Sequence, residues 1–165
     1  MTRSAESQQH PWRHLIKRFF GVVASRRLSP NEQAWVSRVL RPDLAKLFWQ
    51  QAPMDQRHAY EVARRAAGVL GEDRAALTAA LLHDVGKRHS RAGAIGRSLA
   101  TILDSLQLPL PADWQRYRDH EQLGAADLAE QGADVLAVAF ASGRRPAAGE
   151  FEAHVWDALI AADDA

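Results

Sequence analysis

Residues 75–88 read AALTAALLHDVGKR. The run Ala75 to Leu82 is apolar almost all round and carries none of the alternation of a half-buried strand. Alanine and leucine dominate it, so the spacing predicts a buried helix over about residues 74–86, capped by Asp73 and ended at Gly86. At the end of that helix stand an imidazole and a carboxylate, His83 and Asp84. Burying both costs several kcal/mol unless each is satisfied, and a bound divalent cation satisfies both at once. Neighbours on a helix point about 100° apart, so one ion reaches both only near the helix end, with other helices completing its shell. Gly86 lets the backbone turn away, and Lys87 puts a positive charge beside the pair.

Outward from this stretch the pattern stays helical. Upstream, DQRHAYEVARRA (residues 55–66) predicts an amphipathic helix over about 56–69, preceded by Asp55 and stopped near Gly71. Ser29-Pro30-Asn31-Glu32 is a helix start with a capping residue, a proline at the first position and a glutamate to complete a capping box. That helix carries Trp35, Val36 and Val39, and Pro42 opens another through Leu44, Leu47, Phe48 and Trp49. Residues 11–26 place Trp12, Leu15, Ile16, Phe19, Phe20 and Val23 at helical spacing among basic residues, which suits a helix packed on the core or one lying on a membrane surface. Downstream, helices are expected at about 93–106, 112–131 (bent), 133–141 and 150–162. Ser142 to Gly149 is a Gly-, Pro- and Arg-rich loop. No strand pattern of useful length occurs, so the expected class is all-α, with residues 1–50 as a helical extension packed on a domain of residues 51–165.

Composition narrows the chemistry. A chain of 165 residues with 47% hydrophobic content can bury one core unaided. The absence of cysteine excludes disulfides, zinc ribbons, iron–sulfur clusters and a thiol nucleophile. Twenty-one basic against 20 acidic residues, net +1, gives no reason to expect nucleic acid or an anionic membrane as partner. Neither a signal peptide nor an apolar stretch near the roughly 20 residues of a membrane span is visible, so a cytoplasmic location is expected.

Any metal site must therefore be built from His, Asp and Glu. His58 shares a helix face with Val62 and, more loosely, Arg65, and Asp163 closes the last helix among alanines that permit close packing. With His83 and Asp84 they make a set of two nitrogens and two oxygens from separated helices, suited to Mn, Fe, Co, Ni, Mg or Zn. Taken singly, each has a plainer reading: a satisfied core histidine, a common dipeptide, a solvated terminal carboxylate.

The order RHAYEVARR (57–65), ALLHDVGKR (80–88), DHEQLGAADLAEQGAD (119–134) and LIAADDA (159–165) resembles the HD-domain superfamily of metal-dependent phosphohydrolases. The resemblance covers about residues 54–165 and implies an HD-domain helical bundle. It implies His58, His83, Asp84 and Asp163 as ligands of one divalent ion, with Asp163 chosen over Asp164 because it follows two alanines. It further implies that Asp84 orients a metal-activated water and that Lys87, with Arg88 or Arg91, neutralises phosphate charge. His120 resembles the first of two further histidines of dinuclear members, open to a second metal, substrate phosphate, acid–base work or a local hydrogen bond. The turn that usually supplies the other reads AFASGRRPAAGE (139–150) and has no histidine, which argues for one tightly held metal. Arg144 and Arg145 of that turn suit phosphate or plain solvent, and His89 suits a supporting role beside the pair or a polar loop start. The implied function is hydrolysis of a phosphomonoester or nucleotide. The alternatives are a non-catalytic module of the same fold, binding metal and a nucleotide or protein partner, and a purely structural helical domain.

Overall fold

Seven α-helices and a 3-10 turn, with no strand, make up the described residues of the computed structural model: 27–90, 119–144, 147 and 149–165. The all-α expectation holds there. The elements are α1 (Pro30–Val39), α2 (Pro42–Trp49), α3 (Pro53–Leu70), α4 (Arg74–Leu82), the 3-10 turn Val85–His89, α5 (His120–Glu130), α6 (Val135–Ala141) and α7 (Ala153–Asp164). The helices expected over 11–26 and 93–106, the start of the one expected over 112–131, and Arg91 and Arg145 lie outside the described residues.

The alanine-rich segment is the hub. Every residue of α4 from Ala76 to Leu82 is buried, and the helix packs against α3, α6 and α7 as well as α1 and α2. The facing side of α3 is Ala59, Val62, Ala63 and Ala66, all fully buried, so small side chains let the two axes approach. One apolar cluster runs from Val36 and Phe48 of α1 and α2 through Leu77 and Leu81 to Leu128 and Leu159. Residues 27–50 thus share one core with the helices from α3 onward. No helix among the described residues is long and apolar enough to cross a membrane.

The start signals act as read. Glu32 accepts from the Ser29 backbone N–H (2.6 Å) and from both terminal nitrogens of Arg57 (2.7 and 2.9 Å), tying the head of α1 to α3. The Arg57 hydrogen bond, then the Ser29 N–H, pull the Glu32 pKa down to about 2. Asp73 accepts from the Ala76 N–H (3.1 Å), and Gly71 ends α3 with φ +65°.

Two boundaries differ from expectation. Helix α3 starts at Pro53 rather than after Asp55, because proline's fixed φ seeds the first turn and leaves Asp55 buried inside it. Helix α4 stops at Leu82 instead of continuing to residue 86. The backbone tightens there, with the Lys87 N–H bonding the Asp84 carbonyl (3.0 Å), and Gly86 comes up against α5. A Cβ on Gly86 would lie 1.8 Å from the His120 carbonyl oxygen. Gly86 therefore serves close approach of two backbones, not only a change of direction.

Candidate metal centre

The ends of α4, α5 and α7 meet the second turn of α3 at one place. The tightening of the chain after Leu82 places His83 at the C-terminal cap of α4 and Asp84 at the N-terminal cap of the 3-10 turn. Helix α3 supplies His58, the final turn of α7 supplies Asp163, and α5 begins with His120. Arg65 Nη1 donates to the Ala162 carbonyl (3.0 Å), which pins the last turn of α7 onto α3 beside Asp163. Buried Ala162 and Leu159 permit that approach.

His83 is buried, and its Nδ1–H donates to the Ala80 carbonyl of its own helix (2.8 Å). A carbonyl only accepts, so this bond fixes the tautomer and turns the Nε2 lone pair toward the cluster. Nε2 has no hydrogen-bond partner. It faces Asp163 Oδ1 at 3.3 Å and Asp84 Oδ2 at 3.4 Å, two acceptors that offer no proton. His58 Nε2 lies 3.1 Å from the same Asp163 Oδ1, and its ring meets that of His83 edge-on at 5.3 Å. Donor atoms of His58, His83 and Asp84 all fall within 4.8 Å of one another, a grouping that could hold a metal ion. Asp163, expected as a fourth ligand, stands against both imidazoles.

The cluster's charge is unbalanced. Burial disfavours an imidazolium at His83, but Asp84 and Asp163 outweigh it and push that pKa up to about 10. Burial likewise opposes ionised Asp84, yet His83, His120 and Lys87 hold its carboxyl well below the usual range. At Asp163 the burial penalty is overcome by the hydrogen bond from His58 and by the facing His83 imidazole, which again hold the carboxyl low. Both acids are thus anionic, and the orphaned Nε2 between them calls for a cation, whether a proton or a metal.

The other candidate residues divide. Lys87 Nζ bonds Asp84 Oδ2, and His120 Nε2 comes within 3.5 Å of Asp84 Oδ1, so both flank the candidate ligand. Arg88 is held by Asp127 (2.9 Å) and by the Gln50 side-chain carbonyl. Arg144 forms a two-point pair with Glu150 of its own loop (2.7 and 2.9 Å). His89 Nε2 lies 2.7 Å from Asp127 Oδ2 and so supports the turn rather than joining the cluster. Exposed His154 sits 3.3 Å from Glu152.

Asp127 is the residue that sequence reasoning missed. It clamps Arg88 and His89, and with them the 3-10 turn that carries Lys87, onto α5. A signal existed: His120, Gly124 and Asp127 fall at i, i+4 and i+7, one face of a helix, and that face meets the turn.

Searches of family models, of characterised proteins and of solved structures gave no match to this chain.

Proposed function

We propose that the chain is a metal-dependent phosphohydrolase of the HD type, acting on a phosphomonoester or nucleotide. One observation carries the reading: the buried, partnerless Nε2 of His83 between two ionised carboxylates, with a second imidazole beside them. His58, His83, Asp84 and Asp163 would hold one divalent ion, with nitrogen and oxygen donors suited to Mn, Fe, Co, Ni, Mg or Zn. Such an ion, when bound, polarises a phosphoryl oxygen and acidifies a water. The chain's own groups do the rest. Ala80 holds the His83 ring in its tautomer, and Arg65 keeps Asp163 in place through Ala162. Lys87, on Asp84, offers positive charge to a phosphate at the same carboxylate. His120 stands on the other oxygen of Asp84, placed to give a proton to the departing alkoxide oxygen.

The test is elemental analysis of the purified protein joined to a panel of phosphomonoesters and nucleotides. About one ion per chain is expected, lost in His83→Ala and Asp84→Ala, with turnover that a chelator abolishes. Stoichiometric metal without turnover of any phosphate ester ends the enzymatic reading. That outcome would leave the second one, a non-catalytic module holding metal and a nucleotide or protein partner. The pairing of Arg88 with Asp127 and of Arg144 with Glu150 favours this second reading, because it occupies two of the cations expected to meet phosphate.

A further inference from the structure

Lys87 and the candidate ion address the same oxygen. Asp84 Oδ2 accepts from Lys87 Nζ, and it is also the oxygen that faces His83 Nε2 at 3.4 Å. The other oxygen of that carboxylate, Oδ1, is turned to His120. An ion gripped by His83 Nε2 and Asp84 would therefore bond the oxygen on which the ammonium rests. Holding a divalent ion and an ammonium on one oxygen sets like charges side by side, and each weakens the grip of the other. Solvent screens them little, because the Asp84 and Lys87 side chains are only 9% and 19% exposed. Charge balance leads to the same place. Asp84 and Asp163 bring two negative charges, which a divalent ion balances alone, so the charge of Lys87 becomes a surplus. The turn around Lys87 is fixed, whereas its side chain is long. The Lys87 N–H donates to the Asp84 carbonyl (3.0 Å), and the Ser90 N–H donates to the Lys87 carbonyl (3.1 Å). Arg88, the next residue, is braced between Asp127 (2.9 Å) and the Gln50 side chain. A change at Asp84 is thus taken up by the flexible four-carbon lysine stem rather than by the turn.

We propose that Lys87 is a displaceable counter-cation: a divalent ion takes over Asp84 Oδ2, and the released ammonium becomes a binding group for a tetrahedral oxyanion. This rests on the metal reading above and adds an order to it, metal first and phosphate second. Before the ion binds, the ammonium is engaged by Asp84, and two carboxylates repel an anion. Afterwards the carboxylates are neutralised and the surplus positive charge draws the anion in. Linkage makes the coupling reciprocal, so bound phosphate tightens the metal by the factor by which the metal tightens phosphate. Lys87 then serves two partners in turn, Asp84 and the oxyanion, and the exchange between them is driven by the metal.

Nuclear magnetic resonance of the full chain tests it, with zinc as the probe ion and inorganic phosphate as the probe anion. The Lys87 ammonium signal of chelator-treated protein is identified by its loss in Lys87→Met. Zinc is expected to shift that signal saturably, and phosphate to shift it again only once zinc is bound. Lys87→Met removes the competing charge, so it is expected to bind zinc about tenfold tighter, and its zinc-loaded form to bind phosphate about tenfold weaker. Should that variant fail to fold, Lys87→Gln keeps a hydrogen-bond donor for Asp84 without the charge and is expected to show the same two changes. Zinc that binds while the ammonium signal stays in place, or with an affinity the variants leave unchanged, overturns the displacement and leaves the metal reading standing. So does phosphate that binds as well without zinc as with it. A wild type that takes up no divalent ion removes the metal reading, and the displacement with it.

Discussion

Gly86 and α5 meet backbone to backbone, and that contact gives a sharp test of how the site is assembled. In Gly86→Ala the new Cβ would lie 1.8 Å from the His120 carbonyl oxygen and 2.6 Å from the Gly124 nitrogen. Comfortable non-bonded separations are about 3.5 Å, so the turn and the helix must part by roughly 1.5 Å. Both obstacles are main chain, and they span i to i+4 of the first turn of α5, so no side-chain rotation relieves the clash. Overpacking of this kind costs about 1–3 kcal/mol, and a clash with two backbones belongs at the upper end. For a chain of this size that lowers Tm by roughly 6–12 °C. The same movement draws His120 Nε2 from Asp84 Oδ1, now at 3.5 Å, and so disturbs the candidate metal centre. Gly68 is the internal control. It lies within α3 with nothing inside 4 Å of the point where a Cβ would stand, so Gly68→Ala is expected to stabilise by about 0.5–1 kcal/mol. Thermal melting by circular dichroism, run beside metal titration of each variant, reads both effects. If Gly86→Ala melts within about 1 °C of the wild type and takes up metal unchanged, the turn and α5 do not meet as described.

Further tests address the charges. The His83 pKa, raised to about 10 from an unfolded value near 6.5, contributes stability that is fully present below about pH 6.5 and lost as the pH rises toward 10. Chelator-treated protein should therefore show unfolding free energies, read from urea titrations, that fall across that window by at most about 1.4 kcal/mol per pH unit, and a flat profile would remove the buried imidazolium. Asp127→Asn takes the charge from Arg88 and His89 and should cost about 2 kcal/mol in denaturant unfolding; a loss below about 0.5 kcal/mol contradicts the clamp. Glu32, depressed to about 2 from 4.5, contributes stability above about pH 4.5 that is lost as the pH falls toward 2. Its partial exposure limits that contribution to about 0.5–1 kcal/mol, and Glu32→Gln should flatten the acid limb of the stability curve by that amount.

How much was legible in the sequence depends on the range of the forces involved. Caps and apolar periodicity act within a turn or two, so Ser29, Glu32, Asp73 and Gly71 could be assigned from their neighbours alone. The gathering of His58, His83, Asp84 and Asp163 was readable only through a resemblance of motifs, because spacing along the chain does not say which helices pack together. The end of α4 was misjudged for the same reason. Its cause is Gly124 and the His120 carbonyl, which arrive from far along the chain. Asp127 escaped notice because an aspartate in a polar helix gives no sign of being 16% exposed and holding two cations. The pairings of Arg88 and Arg144 are equally tertiary: Gln50 and Asp127 for the first, the fold of its own loop for the second.

The electrostatics of the cluster make proton and metal competitors for one position. Asp84 and Asp163 bring two negative charges, Lys87 one positive, and neutral imidazoles none. A proton on His83 Nε2 cancels the remaining charge, which is why that site is held protonated to about pH 10. A divalent ion in its place requires the lone pair that the proton occupies, so binding must expel the proton. The Ala80 carbonyl keeps Nδ1 protonated throughout, leaving Nε2 as the one ring nitrogen free to exchange the two cations. The arrangement that makes His83 a poor core residue, buried, with one nitrogen tied to its own helix and the other facing carboxylates, is thus the arrangement a ligand needs.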